Sequence, residues 1–365
     1  MVVAHPLTSE TTLAVDAFGT SVTVPIACCL RQPYAVHELV KRIHNRAAAR
    51  PSRLKTLAKA NHMPKPRFLV SLTTSDNDYQ IEQAQSAEQA AYKLGAEVQI
   101  LYADNDAITQ STQVLKAIQS PEVTRPNGII FEPVGGTALP QVAQAAVSAG
   151  IGWAVLNRDA SYIADLRKLA TAPVFGLTSD HIEIGRIQGR QFKALLPHGG
   201  SILYIQGPSE NSAAKERTLG MRETKPANIQ ITLLKAQWTE ESSTRSVRSW
   251  LKLGTSQRSP IDLVAAQDDS MAVGARKAFE ELTNELDKER WLSLPFTGCD
   301  GLPKTGQSWV RSGILAATVF VPPNAGQAIE MLFHARESKK QIPERVLTVP
   351  VSIPALSELK PHTPS

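Results

Sequence analysis

Two neighbouring acids at the end of an apolar run are the first residues in this sequence that could bind a ligand or act in catalysis. The mostly apolar run of residues 261–266 (IDLVAA) is followed by Asp268 and Asp269 and then by apolar residues at helical spacing. This pattern predicts a buried parallel strand that runs into a crossover helix. Asp269 or Ser270 would cap that helix. Since ligands of open α/β sheets bind beyond the carboxyl ends of the strands, we expect this corner to face a ligand.

Hydrogen-bonding and aromatic residues follow several other predicted strand ends. They are Asn77, Tyr79, Asn157, Arg158, Arg217 and Asp300. Asn amides, Arg guanidinium groups and ionised Asp side chains together supply the donors and acceptors that pair with neighbouring hydroxyl groups. A Tyr ring can pack on the apolar face of a sugar. The set predicts a small polyhydroxylated ligand, for which Asp268 is an acceptor while Asp269 caps the helix.

Each of these residues also has an ordinary structural explanation. Asn77 and Asn157 would form turns, and Tyr79 would belong to the core. The two arginines, Arg158 and Arg217, would make surface ion pairs. It is the expected position of all these residues at the same edge of the sheet that favours a binding site.

Catalysis is the weaker interpretation of the same residues. Asp268 and Asp300 could formally serve as the two carboxylates of a glycosidase, but the sequence indicates no acid in an apolar pocket to complete the pair. The motifs of P-loop enzymes, zinc proteases, α/β-hydrolases and dinucleotide-binding folds are missing, and the eight histidines show no metal-ligand spacing. We therefore expect a binding protein that is not an enzyme and has neither metal nor cofactor.

The elements that position these residues follow an alternating pattern from Arg67 onward. Short apolar segments alternate with helical ones, as is typical of βαβ units and an α/β fold. Strands are predicted to start at Phe68, Val98, Gly128, Trp153, Val174, Ile202, Ile231, Ile261, Pro295 and Ile314. Clear helices span residues 79–94 and 182–195, the second capped by Asp180. Its Gly185 and Gly189 predict close packing on a neighbour, because a helical glycine costs about 1 kcal/mol against alanine.

Length and composition limit the class of protein. A chain of 365 residues exceeds what one hydrophobic core usually holds, so two domains are expected. An apolar share of 42% and a charged share of 20% are ordinary for a globular protein. The sequence has no run of about 18 apolar residues, which predicts no transmembrane helix. Three cysteines give neither a disulfide framework nor metal spacing.

The positive charge is concentrated in one segment. Residues 41–67 carry nine Lys or Arg and no acid, so subtracting nine from the net charge of +5 leaves −4 for the rest of the chain. A mildly acidic body with a basic connector is more typical of a solvated linker than of a nucleic-acid arm. Nucleic acid is therefore not the expected partner.

Residues 1–65 form a separate region with a strand predicted over 22–30 and a helix over 36–49. Residues 31–40 resemble the Lys-Pro loop and final helix of a response-regulator receiver domain. Gln32 stands where the receiver has its Lys, and the upstream acidic pocket is absent, so at most a remnant is expected. The start lacks a basic segment followed by an apolar core, which predicts an intracellular protein or a different start site.

Five motifs resemble those of the ribose-type sugar-binding proteins of bacterial ABC importers, in that family's order and spacing from about Arg67 to Val351. They are residues 75–79 (SDNDY), 156–158 (LNR), 211–221 (NSAAKERTLGM), 266–275 (AQDDSMAVGA) and 298–301 (GCDG). The resemblance implies the type I periplasmic binding protein fold, which is α/β with two Rossmann-like lobes joined by a three-crossing hinge.

The resemblance also implies where the lobes begin and end. The chain would cross between lobes near Ser179, near Val321 and near Gln341. The expected regions are an N-terminal extension (1–65), a first lobe (66–178 and 322–341), a second lobe (179–321 and 342–353) and a flexible tail (354–365).

The family's ligand contacts carry over residue by residue. The first lobe would supply Asn77, Tyr79, Asn157 and Arg158, and the second lobe and hinge side would supply Arg217, Asp268 and Asp300. Gln80, Glu241 and Val321 depart from the family pattern, which puts pentose specificity in doubt. Trp238 would provide a stacking ring in place of the aromatic residue expected near Glu241.

The resulting hypothesis is a substrate-binding component of an ABC sugar importer that closes on one sugar and docks on a permease. Family resemblance favours the periplasm or cell envelope, whereas the given start favours the cytoplasm. The alternative is a cytoplasmic sugar-responsive sensor or the effector domain of a transcriptional regulator. Against that alternative, residues 1–65 show no helix-turn-helix pattern.

Overall fold

A computed structural model describes residues 12–15, 21–23, 65–135, 138–158, 160–254, 256, 260–338 and 342–362. The chain divides into two compact units, Met1–Pro64 and Lys65–Ser365. In the first unit, strands β1 (Thr12–Val15) and β2 (Ser21–Thr23) pair antiparallel. The strand predicted over 22–30 overlaps β2 in its first two residues. The rest of it, the helix over 36–49 and the receiver-like segment lie outside the described residues.

The second unit begins with a six-stranded parallel sheet, here called the first sheet. Its strands are β3 (Arg67–Leu72), β4 (Glu97–Tyr102), β5 (Gly128–Phe131), β6 (Gly152–Leu156), β7 (Val174–Ser179) and β13 (Arg345–Thr348), in the order β13-β7-β6-β5-β3-β4. Its helices are α1 (Asp78–Leu94), α2 (Ala107–Ile118), α3 (Pro140–Ser148), α4 (Ile163–Leu169) and α11 (Ala325–Ser338). The strand order reverses at β3, so β3 and β5 flank a switch point at which ligands bind in open α/β sheets.

A second parallel sheet is built in the same way but has four strands. It contains β8 (Gly200–Gln206), β9 (Ile229–Lys235), β10 (Leu263–Ala266) and β11 (Phe296–Thr297), in the order β11-β10-β8-β9. Its helices are α5 (His181–Leu195), α6 (Ser212–Thr224), α7 (Glu240–Leu251), α8 (Asp269–Glu280), α9 (Glu285–Leu292) and α10 (Gly306–Arg311). Next to β11, strand β12 (Thr318–Phe320) pairs antiparallel with β14 (Val351–Ile353).

Both faces of each sheet are covered by helices, which is why the strands read as continuous apolar runs. On β3, Phe68 and Val70 pack with α1 and α11, whereas Leu69 packs with α2 and α3 on the opposite face. All four residues of β5 and of β10 are buried. None of the described helices is both long and apolar enough to cross a lipid bilayer.

The glycines of α5 let two helices touch at their backbones, as the sequence predicts. A methyl group on Gly185 would collide with the carbonyl oxygen of Arg217 in α6, and one on Gly189 would collide with Thr224. The cap of α5 is also confirmed, since Asp180 accepts a hydrogen bond from the Glu183 amide at 2.9 Å. The close approach fixes α6, and thereby Arg217, against α5.

Three predicted boundaries differ from the structure. Residues 342–348 were expected in the second lobe, but β13 (Arg345–Thr348) pairs with β7 at the edge of the first sheet, so the chain leaves that sheet after Thr348. Residues 354–362 were expected to be frayed, but the His362 amide donates to the Leu195 carbonyl of α5 at 2.8 Å. The strand predicted to start at Ile314 starts four residues later, at Thr318.

Candidate functional site

The carboxyl ends of the strands of both sheets converge on one cavity of about 510 Å³. Its walls are the loops that follow β3, β5 and β6 of the first sheet and β8, β9, β10 and β11 of the second. The volume lies within the range of about 300–1,000 Å³ that is common for small-molecule sites.

All eight residues predicted to contact a ligand line this cavity. They are Asn77, Tyr79, Asn157, Arg158, Arg217, Trp238, Asp268 and Asp300. The structure thus brings together side chains that are up to 223 positions apart in the chain, from Asn77 to Asp300. Whether each of them touches a ligand stays a prediction.

Asn77 and Tyr79 connect the first sheet to the rest of the cavity wall. Asn77 caps α1 through its Oδ1, which accepts from the Tyr79 amide at 2.9 Å. Its Nδ2 donates across the cavity to the Trp238 carbonyl at 3.4 Å. The Tyr79 hydroxyl donates to the Pro322 carbonyl at 3.3 Å, just after β12. The turn-forming role and the cavity-lining role of Asn77 therefore coexist.

A buried acid that the sequence analysis missed organises the next part of the wall. Glu132, which follows β5 and is 3% exposed, accepts from Asn157 Nδ2 at 3.2 Å and lies 3.9 Å from Arg158. The other end of the Asn157 amide accepts from Asn324 Nδ2 at 2.9 Å. Since both ends of this amide are engaged by protein, Asn157 serves first to position Glu132 and Asn324.

Arg217 is the central cation on the side of the second sheet. It is buried, donates to the Gln267 carbonyl, and has Nη2 at 3.7 Å from the Asp300 carboxylate. Its guanidinium carbon lies 5.5 Å from the centre of the Trp238 ring, within the range of a cation–π contact. The Trp238 ring therefore orients Arg217, whereas its stacking on a ligand stays a prediction.

The helix cap predicted for Asp269 is wrong, whereas the ligand contact predicted for Asp268 stays a prediction. The cap of α8 is Asp268, whose Oδ1 accepts from the Met271 amide at 2.5 Å. Asp268 lines the cavity, and its Oδ2 is buried without a partner among the described residues. Asp269 is not the cap. Its carboxylate is buried behind the site and accepts from the Gly301 amide at 2.7 Å and from the Thr318 hydroxyl at 2.6 Å. Asp269 thereby ties β12 and the loop of Asp300 to α8.

Five residues of the cavity wall each have a buried polar atom without a hydrogen-bond partner among the described residues. These atoms are Arg158 Nε, His181 Nδ1, Arg217 Nε, Trp238 Nε1 and Asp268 Oδ2. Buried polar groups in native proteins are nearly always paired, and leaving one unpaired costs about 1–3 kcal/mol. Such a concentration in one cavity indicates a site that a polar ligand completes.

Backbone strain is concentrated at the same cavity. Asn157, Trp238 and Asp300 have φ angles of 53°, 60° and 98°, a region that residues other than glycine seldom adopt. Strained residues cluster at functional sites, where the surrounding structure holds them in place.

Burial dominates the electrostatics of the site. Burial and the nearby Asp300 raise the pKa of Asp268 to about 7, and burial raises the pKa of Asp300 to about 6. The pKa of Glu132 is also raised by burial. Burial and the charges of Arg217 and Arg158 hold the pKa of His181 well below its usual range, so this imidazole is neutral near pH 7.

Glu132 and His181 were missed for different reasons. Glu132 directly follows the apolar run of β5, so the rule that selected Asn157 and Asp268 would have found it. His181 stands inside the first turn of α5, one residue after the Asp180 cap, where a sequence pattern points to no contact with a strand end. Its position in the cavity depends on the crossing of the chain from β7 to α5.

Comparisons with known proteins match most of the second unit. A family model described as a periplasmic binding protein domain matches residues 68–340. The ribose import binding protein of Salmonella typhimurium is 26% identical over 271 residues, which cover 74% of this chain and 84% of that protein. The xylitol-binding protein of Mycolicibacterium smegmatis is 28% identical over 221 residues, covering 59% of this chain and 56% of that protein.

A solved structure has the same fold. It is the periplasmic solute-binding protein of an ABC transporter from Actinobacillus succinogenes with bound D-allose. Its TM-score is 0.68 at 21% identity, and the match covers 79% of this chain and 97% of that chain. The predicted type I periplasmic binding protein fold, with two Rossmann-like lobes, is confirmed.

Proposed function

The chain belongs to the periplasmic binding protein domain family, and we propose that it binds one small polyhydroxylated molecule in the cavity between its two sheets. The ligand is a monosaccharide or a compound of similar size and hydroxyl content. The protein releases this ligand unchanged, so its activity is recognition and not catalysis.

The observation that carries this proposal is the set of unpaired buried polar atoms in the cavity wall. Arg158, Arg217 and Trp238 offer N–H donors, and Asp268 offers an acceptor. Neighbouring hydroxyl groups of one sugar both accept and donate, so a single molecule can pair with donors and acceptor together. An analogue without one hydroxyl leaves a buried group unpaired, which supplies specificity.

Closure of the two sheets around the ligand is the proposed mechanism. Three connections join the sheets: β7 to α5, β12 to α11, and β13 to β14. We infer that these connections form a hinge between two lobes, the first carrying the first sheet with β13 and the second carrying the second sheet with β12 and β14. Hinge closure around ligands is common in proteins of two lobes.

We also propose that the protein delivers its ligand to an ABC permease. The ribose import binding proteins among its relatives carry import in their names, and the solved structure described above belongs to an ABC transporter. The proposed site of action is the periplasm or the cell envelope. A cytoplasmic sensor would use the same cavity, but no observation on the described residues favours it.

A thermal-shift screen of the full chain against monosaccharides, sugar alcohols and cyclitols tests the proposal. Since a ligand that binds only the folded state stabilises it by about 2.7 kcal/mol at 100 times its Kd, the midpoint of unfolding should rise by several degrees with at least one compound. The absence of a rise with every compound would refute the proposal. Recovery of that compound unchanged after prolonged incubation separates binding from turnover.

A further inference from the structure

The wall of the cavity contains more buried acid than buried base. Glu132, Asp268 and Asp300 face two cations, Arg158 and Arg217, so three carboxylates stand against two guanidinium groups. The exposed acids Asp76 and Glu210 also line the cavity, and none of its described lining residues is a lysine. Glu132 and Asp268 are buried and Asp300 is half-buried, and when all three are ionised one of them lacks a counter-charge.

The unmatched carboxylate is identified by its contacts. Arg158 lies 3.9 Å from Glu132 and Arg217 lies 3.7 Å from Asp300, so each guanidinium group already has an acid. Asp268 is 2% exposed, and its Oδ2 has no partner among the described residues. Its Oδ1 is engaged in the helix cap, where it accepts from the Met271 amide. A buried carboxylate oxygen without a partner is costly, and a cation is the group that satisfies it best.

We propose that the natural ligand carries a protonated amine that binds to Asp268, so that the protein selects amino sugars or amino cyclitols over their neutral parents. This inference rests on the proposed function and names the class of ligand. The amine donates to Oδ2 of Asp268 and supplies the missing positive charge. The other hydroxyl groups of the ligand accept from Arg158 Nε, Arg217 Nε and Trp238 Nε1.

The competing classes of ligand fit this charge pattern less well. A hydroxyl group has about the size of an ammonium group and can donate to Asp268, but it brings no charge into a cavity with one acid in excess. A uronic acid would add a fourth carboxylate to the three already present. Charge complementarity therefore separates three ligands of nearly the same shape.

The ionisation of the site agrees with this assignment. Without ligand, burial and Asp300 raise the pKa of Asp268 to about 7, so a proton partly fills the place of the missing cation. An ammonium group would favour the ionised carboxylate, and its binding would release that proton. The charged and titratable groups that act on Asp268 are Arg217, which favours its ionised form, and the acids Asp300 and Asp269, which disfavour it.

Calorimetric titration of the full chain with matched pairs tests the inference. The pairs are D-glucosamine with D-glucose, D-galactosamine with D-galactose, and 3-amino-3-deoxy-D-glucose with D-glucose. The N-acetylated sugars, whose nitrogen is an uncharged amide, serve as neutral controls, and D-glucuronate serves as the anion. At pH 7 at least one amine should bind about tenfold more tightly than its neutral parent, as expected for one additional charged hydrogen bond. Its N-acetyl derivative should lose that advantage.

Two variants assign the preference to one carboxylate. Asp268→Asn keeps the shape and a capping oxygen, and it should bring the affinity ratio of amine to parent close to one. Glu330→Gln removes an exposed acid of α11 outside the cavity and should leave the ratio within about twofold, because solvent screens its charge. If Asp268→Asn does not fold, the affinity ratio of amine to neutral parent in the wild-type protein still tests the inference.

The outcomes distinguish this inference from the proposed function. If neutral parents or D-glucuronate bind as tightly as the amines, or if the preference survives Asp268→Asn, the inference is wrong while the proposed function stands. If no polyol of any charge binds, the proposed function is wrong, and the inference fails with it.

Discussion

At the scale of single residues, Asp268 performs two tasks with its two carboxylate oxygens. Asp268 lines the cavity, its Oδ1 caps α8 and its Oδ2 has no partner among the described residues, whereas the neighbouring Asp269 turns away from the cavity and accepts from Gly301 and Thr318. Two adjacent acids therefore have separate effects on binding and on stability, which substitutions can distinguish.

Asp268→Ala should weaken ligand binding and lower the free energy of unfolding by about 1 kcal/mol, the usual effect of a lost helix cap. Asp269→Ala should lower that free energy more, by roughly 2 kcal/mol or above, because it leaves two buried donors without an acceptor. Urea denaturation of both variants measures the difference. Equal stability of Asp269→Ala and the wild-type protein would contradict the assigned role of Asp269.

The acids of the cavity should make the stability of the ligand-free protein depend on pH. The folded-state pKa of Asp268 is raised to about 7 and that of Asp300 to about 6, from an ordinary value near 3.8. A carboxyl group with a raised pKa binds its proton more tightly in the folded state than in the unfolded state. Its contribution to stability is therefore fully present below about pH 4 and is lost as the pH rises through 6 to 7.

The ligand-free protein should accordingly lose stability between pH 5 and pH 8, by an amount on the order of 2 kcal/mol. Asp268→Asn has no such proton and should show a smaller decrease over the same interval. Urea denaturation at several pH values checks both curves. A wild-type curve that rises with pH, or one that is unchanged in Asp268→Asn, would be inconsistent with the buried site.

Sequence reasoning identified the residues that follow strands but not what each side chain does. It placed Asn157 and Asp268 at strand ends correctly, because strand ends are visible as the ends of apolar runs. It assigned the cap of α8 to Asp269 instead of Asp268, because both are good caps and only the backbone conformation of Asp268, with φ −143° and ψ 167°, decides between them.

At the scale of elements, the loop after β9 is held by the loop after β8. A methyl group added to Gly207 would collide with the six-membered ring of Trp238. Trp238 in turn lies under the guanidinium group of Arg217 and has a strained backbone. A side chain at Gly207 would therefore displace the Trp238 ring and, with it, Arg217, the central cation of the site.

Gly207→Ala should displace the Trp238 ring and weaken ligand binding by about tenfold, since overpacking of this kind costs typically 1–3 kcal/mol. Calorimetric titration measures the loss, and the fluorescence of the protein should change with the environment of Trp238. Gly176→Ala is the matched control, because a methyl group there meets its nearest neighbour only at 3.9 Å. Equal losses in the two variants would contradict the packing argument.

The elements themselves were largely predictable from the sequence. The strands of both sheets are short apolar runs that follow helices, and the glycines of α5 indicate its contact with α6. Strand β13 was missed because it is an edge strand, and two of its four residues, Arg345 and Leu347, are exposed. An edge strand buries too little to produce the pattern of a central one.

At the scale of the whole molecule, the ligand site exists only where two sheets meet. Contacts such as that of Asn77 with the Trp238 carbonyl already bridge the cavity, and a ligand that pairs with both walls would add to them. The closure proposed above would therefore be coupled to ligand binding.

The resemblance to a family predicted this architecture, whereas composition and periodicity alone predicted only an α/β protein. The third crossing was misplaced, because the pairing of β13 with β7 depends on contacts between segments about 170 positions apart. The excess of acid in the cavity was likewise not predictable, since it includes Glu132 and depends on which acids the arginines already neutralise.

The most direct test of ligand binding in this cavity is the calorimetric titration of the full chain with the best compound of the screen, for the wild-type protein and for Arg217→Ala. We predict binding of one ligand per chain and a loss of about a hundredfold or more in Arg217→Ala, as expected when a buried charged partner is removed. Arg248→Ala, which removes a surface ion pair with Glu281, should bind like the wild type. Undiminished binding by Arg217→Ala, or no binding by the wild type, would contradict the central claim.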